Sequence, residues 1–142
     1  MRSPCSVRRA ALALTLLVAP AAASAKVTLI VSSWVPPTHT ITQTVAKWCE
    51  EVAQATANRV VCSMLPKAVS APPATFDSIR DALADVSFGT PGYTPGRFVL
   101  TQIAELPFTG DSAEATSVAY QRIYERHLAQ IDEYKGLKVL SV

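Results

Sequence analysis

The sequence predicts an α/β fold, an open sheet with helices on both faces, and three observations predict it. Val27–Val35 is a β-branched run dense enough for a central strand. Ile41, Val45, Trp48, Val52 and Ala55 then recur at three- and four-residue steps, which puts them on one face of a helix. Asp85–Gly89 reads as a short buried strand that breaks into a loop holding Pro91, Gly92, Pro95 and Gly96. Strand and helix alternate along the rest of the chain, and that order builds a layered α/β sheet.

The elements follow in turn. Pro36 and Pro37 end the first strand, and Thr38 or Thr40 caps a helix that runs to about Ala57, where Asn58 closes it. Arg59–Leu65 is a second strand and Pro66–Pro73 a linker. Phe76, Ile79, Ala82 and Leu83 mark a short amphipathic helix leading into the Asp85–Gly89 strand, and Phe98–Ile103 is ambiguous between strand and helix. Asp111 to Glu114 has the form of a capping box, an acceptor side chain followed three residues later by a carboxylate. The helix it opens is expected to reach about Tyr134, with Val118, Ile123, Tyr124, Leu128 and Ile131 as its core face. Gly136–Val142 resembles the first half of a buried strand, so the chain reads as a fragment.

The amino terminus has the three parts of a secretory signal peptide. Arg2, Arg8 and Arg9 precede the apolar run Ala10–Ala19, and Ala23-Ser24-Ala25 supplies a cleavage site, so residues 1–25 are expected to be removed. The apolar run is shorter than the roughly 20 residues of a membrane-spanning helix. Residues 1–25 carry three of the 13 basic side chains and none of the 11 acidic ones, which leaves a mature net charge of about −1. With its cations scattered, the mature chain has no basic groove for nucleic acid. It has no His/Cys/carboxylate cluster at metal-ligand spacing. Neither a Gly-x-Ser-x-Gly elbow nor a triad partner for His39 or His127 is present, which argues against an enzyme.

Loops at the carboxyl ends of strands in open α/β sheets are where small ligands sit, and the candidate residues lie there. Trp34 offers a stacking wall beside Ser33 and His39, with His39 more in keeping with a helix-capping or solvent-facing residue than with a ligand contact. Tyr93 projects from a tight loop, either to stack on a ligand or to pack as part of a hinge. Arg97 offers a bidentate fork to a carboxylate or braces the loop by pairing with Glu105 or Asp111. Asp85 and Phe88 fit a turn residue and a core residue. Cys49 beside the helix face and Cys62 on the next strand either pair in an oxidising compartment or remain two buried thiols; a bridge would add about 3 kcal/mol.

Taken together, Val27–Trp34 with Pro36 to His39, the run Thr75–Asp85, the Gly-Tyr-Thr-Pro-Gly-Arg-Phe loop of residues 92–98 and the Glu-Leu-Pro-Phe element of residues 105–108 resemble the substrate-binding proteins of TRAP (tripartite ATP-independent periplasmic) transporters. The resemblance runs from about Lys26 to Val142. It implies a periplasmic binding protein type II-like fold of which this chain is the incomplete first lobe, residues 26–142, with an open mixed sheet. It further implies a monomeric periplasmic protein, without cofactor, that captures a small carboxylate and delivers it to TRAP permease membrane subunits. On this reading Trp34, Tyr93, Phe98 and Phe108 wall the ligand with Arg97 beside them, and the arginine that anchors the carboxylate lies beyond Val142. The alternative is a secreted α/β interaction or sensory module that binds no solute; a secreted hydrolase is more distant.

Overall fold

The computed structural model describes residues 25–142, so the signal peptide expected over residues 1–25 lies, but for Ala25, outside the described residues. Strand β1, Val27–Val31, pairs in parallel with β2, Val60–Met64, in the register Val27↔Val60 to Val31↔Met64. Helix α1, Thr40–Ala55, connects them. His39 begins this helix: its Nδ1 accepts the Ile41 N–H at 3.2 Å, the role expected of a capping side chain, in place of Thr38 or Thr40. At the other end Ala57 and Asn58 take left-handed φ values of 50° and 59°, and the Asn58 N–H reaches back to the Ala53 carbonyl at 2.7 Å.

The third strand is present only as one parallel bridge, Val31↔Val86. The reason lies in Asp85. Its carboxylate accepts the Ile30 N–H at 2.7 Å while its own N–H and that of Val86 both go to the Ile30 carbonyl. A side chain thus replaces a ladder partner at the point where pairing would begin. The pairing resumes for one step, Ser32 N–H to Val86 O at 2.9 Å, before Gly89 and Pro91 end it.

Helix α2, Thr75–Arg80, brings Phe76 inward. Phe98–Ile103, ambiguous in the sequence, is neither strand nor α-helix: a 3-10 turn spans Thr101–Glu105. Helix α3, Ala113–Ile123, is capped by Ser112, whose Oγ accepts the Ala115 N–H at 3.1 Å, and not by Asp111. It does not run on to Tyr134 as a regular helix. A π turn over Tyr124–Leu128 follows, closed by the Ala129 N–H on the Tyr124 carbonyl, and then a 3-10 turn at Asp132–Tyr134. Tyr124 is buried as expected, but Val118 and Ile123 are exposed, and Tyr120 turns inward in their place, its hydroxyl bonded to the Thr101 carbonyl. The expected strand at Gly136–Val142 is irregular chain, and the Val142 N–H donates to the Gln121 side chain rather than to a neighbouring strand.

The core sits where these pieces converge. Val31 is buried on the sheet and Ala84 just before the Val86 bridge, and Phe98, fully buried, stacks between Phe76 (4.4 Å between centroids) and Tyr134 (4.8 Å), with Tyr124 behind. Cys49 and Cys62 are joined as a disulfide, with Cα atoms 5.7 Å apart, which staples α1 to β2. No helix among the described residues is long and apolar enough to cross a membrane.

Candidate ligand-binding site

Two chain segments end side by side at the carboxyl edge of the sheet, and both are tied down by serines. Ser32 O accepts from Ser87 Oγ at 2.8 Å, and Ser32 Oγ accepts the Val69 N–H at 3.1 Å. Ser33 Oγ donates to Val35 O at 3.0 Å and stands 2.7 Å from Thr42 Oγ1, which fastens the chain leaving β1 to the first turn of α1. Trp34 therefore leaves a fixed backbone. Its indole N–H donates to the Phe88 carbonyl at 3.1 Å, its ring lies 4.8 Å from that of Phe88, and the Tyr93 ring meets it edge-on at 5.8 Å. Trp34, Phe88 and Tyr93 thus form one aromatic shelf, with Trp34 and Phe88 half-buried and Tyr93 about half exposed.

Arg97 adds no charge to this shelf. Its guanidinium is 2.7 Å from Asp77 Oδ1 and lies over the rings of Phe76 and Phe98, so it braces the loop against α2. The bracing expected of it is present, but with Asp77 in place of Glu105 or Asp111. Phe98 belongs to the core and is closed to a ligand: the turn before it carries Gly96 at φ 81°, which only glycine adopts without strain, and the turn swings the next residues inward. Phe108, also expected on the ligand wall, projects wholly into solvent with φ 63° and packs against nothing in the described chain. Of the five residues expected to meet a ligand, Trp34 and Tyr93 are brought together. Phe88, expected as core, joins them; the signal for it was its place two residues after Val86 at the end of the short strand.

A cavity of about 520 Å³ adjoins the shelf and shares Phe88 with it. Val45 and Trp48 of α1, Val86, Tyr120 and Leu140 are among its walls, while Trp34 and Tyr93 are not. It lies between elements, along the 85–89 segment, rather than at the strand ends. Tyr120 O–H donates to the Thr101 carbonyl at 2.7 Å, and burial raises the Tyr120, Tyr124 and Tyr134 hydroxyls above the ordinary phenol value of 10.0. Among the described residues no group of His, Cys, Asp and Glu is placed to hold a metal ion.

No protein-family model matches the chain. In sequence, 116 of its residues, 81% of the chain, are 32% identical to 34% of the outer membrane transporter protein TsaT of Comamonas testosteroni. In structure it matches a TRAP periplasmic solute-binding protein of Bordetella bronchiseptica with bound (R)- and (S)-mandelate, at a TM-score of 0.76 and 46% identity over 81% of this chain and 37% of that one. A TRAP solute-binding protein from an unidentified marine microbe, specific for aromatic acid ligands and in complex with metahydroxyphenylacetate, matches at a TM-score of 0.74 and 33% identity over 82% of this chain and 37% of that one. The chain spans little more than a third of the length of these relatives. The expected fold, one lobe of a periplasmic binding protein type II-like architecture, and the resemblance to TRAP solute-binding proteins are both borne out.

Proposed function

We propose that this chain is the first lobe of the solute-binding component of a TRAP-type transporter, with residues 1–25 as its export signal and residues 26–142 as the lobe, and that its solute is a small aromatic carboxylate. The 46% identity to a mandelate-bound TRAP protein carries the reading. Mandelate and metahydroxyphenylacetate, the ligands of two structural relatives, share one plan: an aryl ring one carbon away from a carboxylate. The Trp34–Phe88–Tyr93 shelf suits the ring half of that plan, since offset and edge-on ring contacts are favourable at these separations.

Division of labour follows from charge. Arg97 is engaged with Asp77, so this lobe supplies shape and apolar area while the carboxylate partner comes from the part of the relatives that this chain does not span. Closure of a second lobe over the shelf favours the ligand-bound form because only the closed state makes both contacts. The half-exposed or more exposed Leu100, Ile103 and Leu106 and the fully exposed Phe108 are apolar surface for the remainder of such a molecule to cover. Capture occurs in the periplasm, and the loaded protein delivers its solute to the permease subunits; no chemical step is assigned.

The test is a titration of the chain, with Trp48→Phe so that Trp34 is the sole indole, against mandelate and metahydroxyphenylacetate. Ring contacts without an ion pair support millimolar binding, about −4 kcal/mol. Saturable change in Trp34 emission by the aryl acids and none by an aliphatic dicarboxylate is expected. Equal response to both classes, or none to either, overturns the proposal.

A further inference from the structure

The Tyr93 loop is held from outside the shelf. The Gly92 N–H donates to Glu105 Oε1 at 3.0 Å, and the Gln102 amide donates to the Pro91 carbonyl at 3.2 Å. Both side chains project from the Thr101–Glu105 turn. That turn is anchored in its own right: Glu133 accepts the Leu100 and Thr101 N–H groups at 2.7 and 3.1 Å, and Tyr120 donates to the Thr101 carbonyl. On the far side of the loop Thr94 Oγ1 donates to the Pro73 carbonyl at 3.2 Å. Tyr93 is therefore a half-exposed ring on a backbone fastened before and after it.

We infer that Glu105 is a positioning residue for the shelf: by holding the Gly92 amide it sets Tyr93 edge-on to Trp34 before any ligand arrives. The inference rests on the solute-binding reading for its purpose but not for its geometry. Gly92 shows why the residue there is small. A Cβ at that position would run into the Glu105 carboxylate. That carboxylate is the mobile end of a side chain, so an alanine would displace it and break the contact without straining the backbone. An ordered ring costs a ligand less to engage than a free one, because the loop has already lost its freedom.

The experiment uses the Trp48→Phe chain and compares Glu105→Ala, Glu105→Gln, Gly92→Ala and Tyr93→Ala, with melting curves to show that each is folded. Trp34 is read by acrylamide quenching and by near-ultraviolet circular dichroism, and Tyr93→Ala defines the signal of a lost contact. Glu105→Ala and Gly92→Ala are expected to move both readouts towards Tyr93→Ala. Glu105→Gln keeps an oxygen acceptor for the Gly92 N–H and is expected to retain the parent signal. Should Glu105→Ala match the parent, or Glu105→Gln lose the signal as fully as Glu105→Ala, the inference is overturned. Mandelate affinity should fall about three- to tenfold in Glu105→Ala and Gly92→Ala, and much less in Glu105→Gln. Altered Trp34 signals with no mandelate binding in any chain would sink the solute reading and leave the positioning role standing; mandelate bound equally well by the parent and Glu105→Ala would do the reverse.

Discussion

Single side chains on one loop divide between the shelf and the core, and their substitutions should separate. Phe98→Ala removes a fully buried ring flanked by Phe76 and Tyr134, a loss of about 3–5 kcal/mol, and the chain is expected to unfold at markedly lower urea. Trp34→Ala should leave the core intact and abolish discrimination between aryl and aliphatic acids in a competition assay with mandelate. Arg97→Met should cost only about 1 kcal/mol, because Asp77 is half exposed and keeps Arg80 at 3.0 Å; mandelate affinity in the parent and variant should be alike. Trp34 and Tyr93 were legible in the sequence because each sits at a strand end or a strand-end loop. Phe98 was not: the direction of a ring after a glycine turn depends on the φ of Gly96, and no spacing rule reports it.

Each element's ends and staples decide how firmly it stands. Cys49 and Cys62 are 13 residues apart, and closing a loop of that size in the unfolded chain is worth about 3 kcal/mol, so unfolding free energies extrapolated from urea curves with and without reductant should differ by that order. The two readings the cysteines allowed, a bridge or two thiols, differ in whether α1 and β2 bring the sulfurs within bonding reach in an oxidising compartment. Ser112→Ala should cost about 1 kcal/mol and Asp111→Ala far less, a comparison of melting temperatures that distinguishes the observed cap from the expected one. Helix α1 was readable because its apolar pattern is long and periodic, and strands β1 and β2 because their runs are rich in β-branched residues. The third strand and the lower part of α3 were not, since a carboxylate on Ile30 and a π turn at Tyr124 override local preference.

At the scale of the whole molecule, the aromatic core makes stability depend on alkali. Burial raises the Tyr120, Tyr124 and Tyr134 hydroxyls above 10.0, so the folded chain holds protons that the unfolded chain releases. Their stabilising contribution is whole below about pH 10 and is lost as pH rises through the raised folded values. Urea unfolding should show stability level to about pH 9 and falling beyond 10, with a flatter decline in Tyr120→Phe. By itself the sequence determined the α/β class, the β1–α1–β2 unit and the TRAP resemblance, and it placed the candidate residues Trp34 and Tyr93 at strand ends, because these rest on periodicity and on short runs of residues that act where they stand. Tertiary structure alone decided which rings form the shelf, which partner Arg97 takes and which face of α3 turns inward. Those outcomes are choices among partners distant in the chain, settled by which contacts can be buried and hydrogen-bonded together.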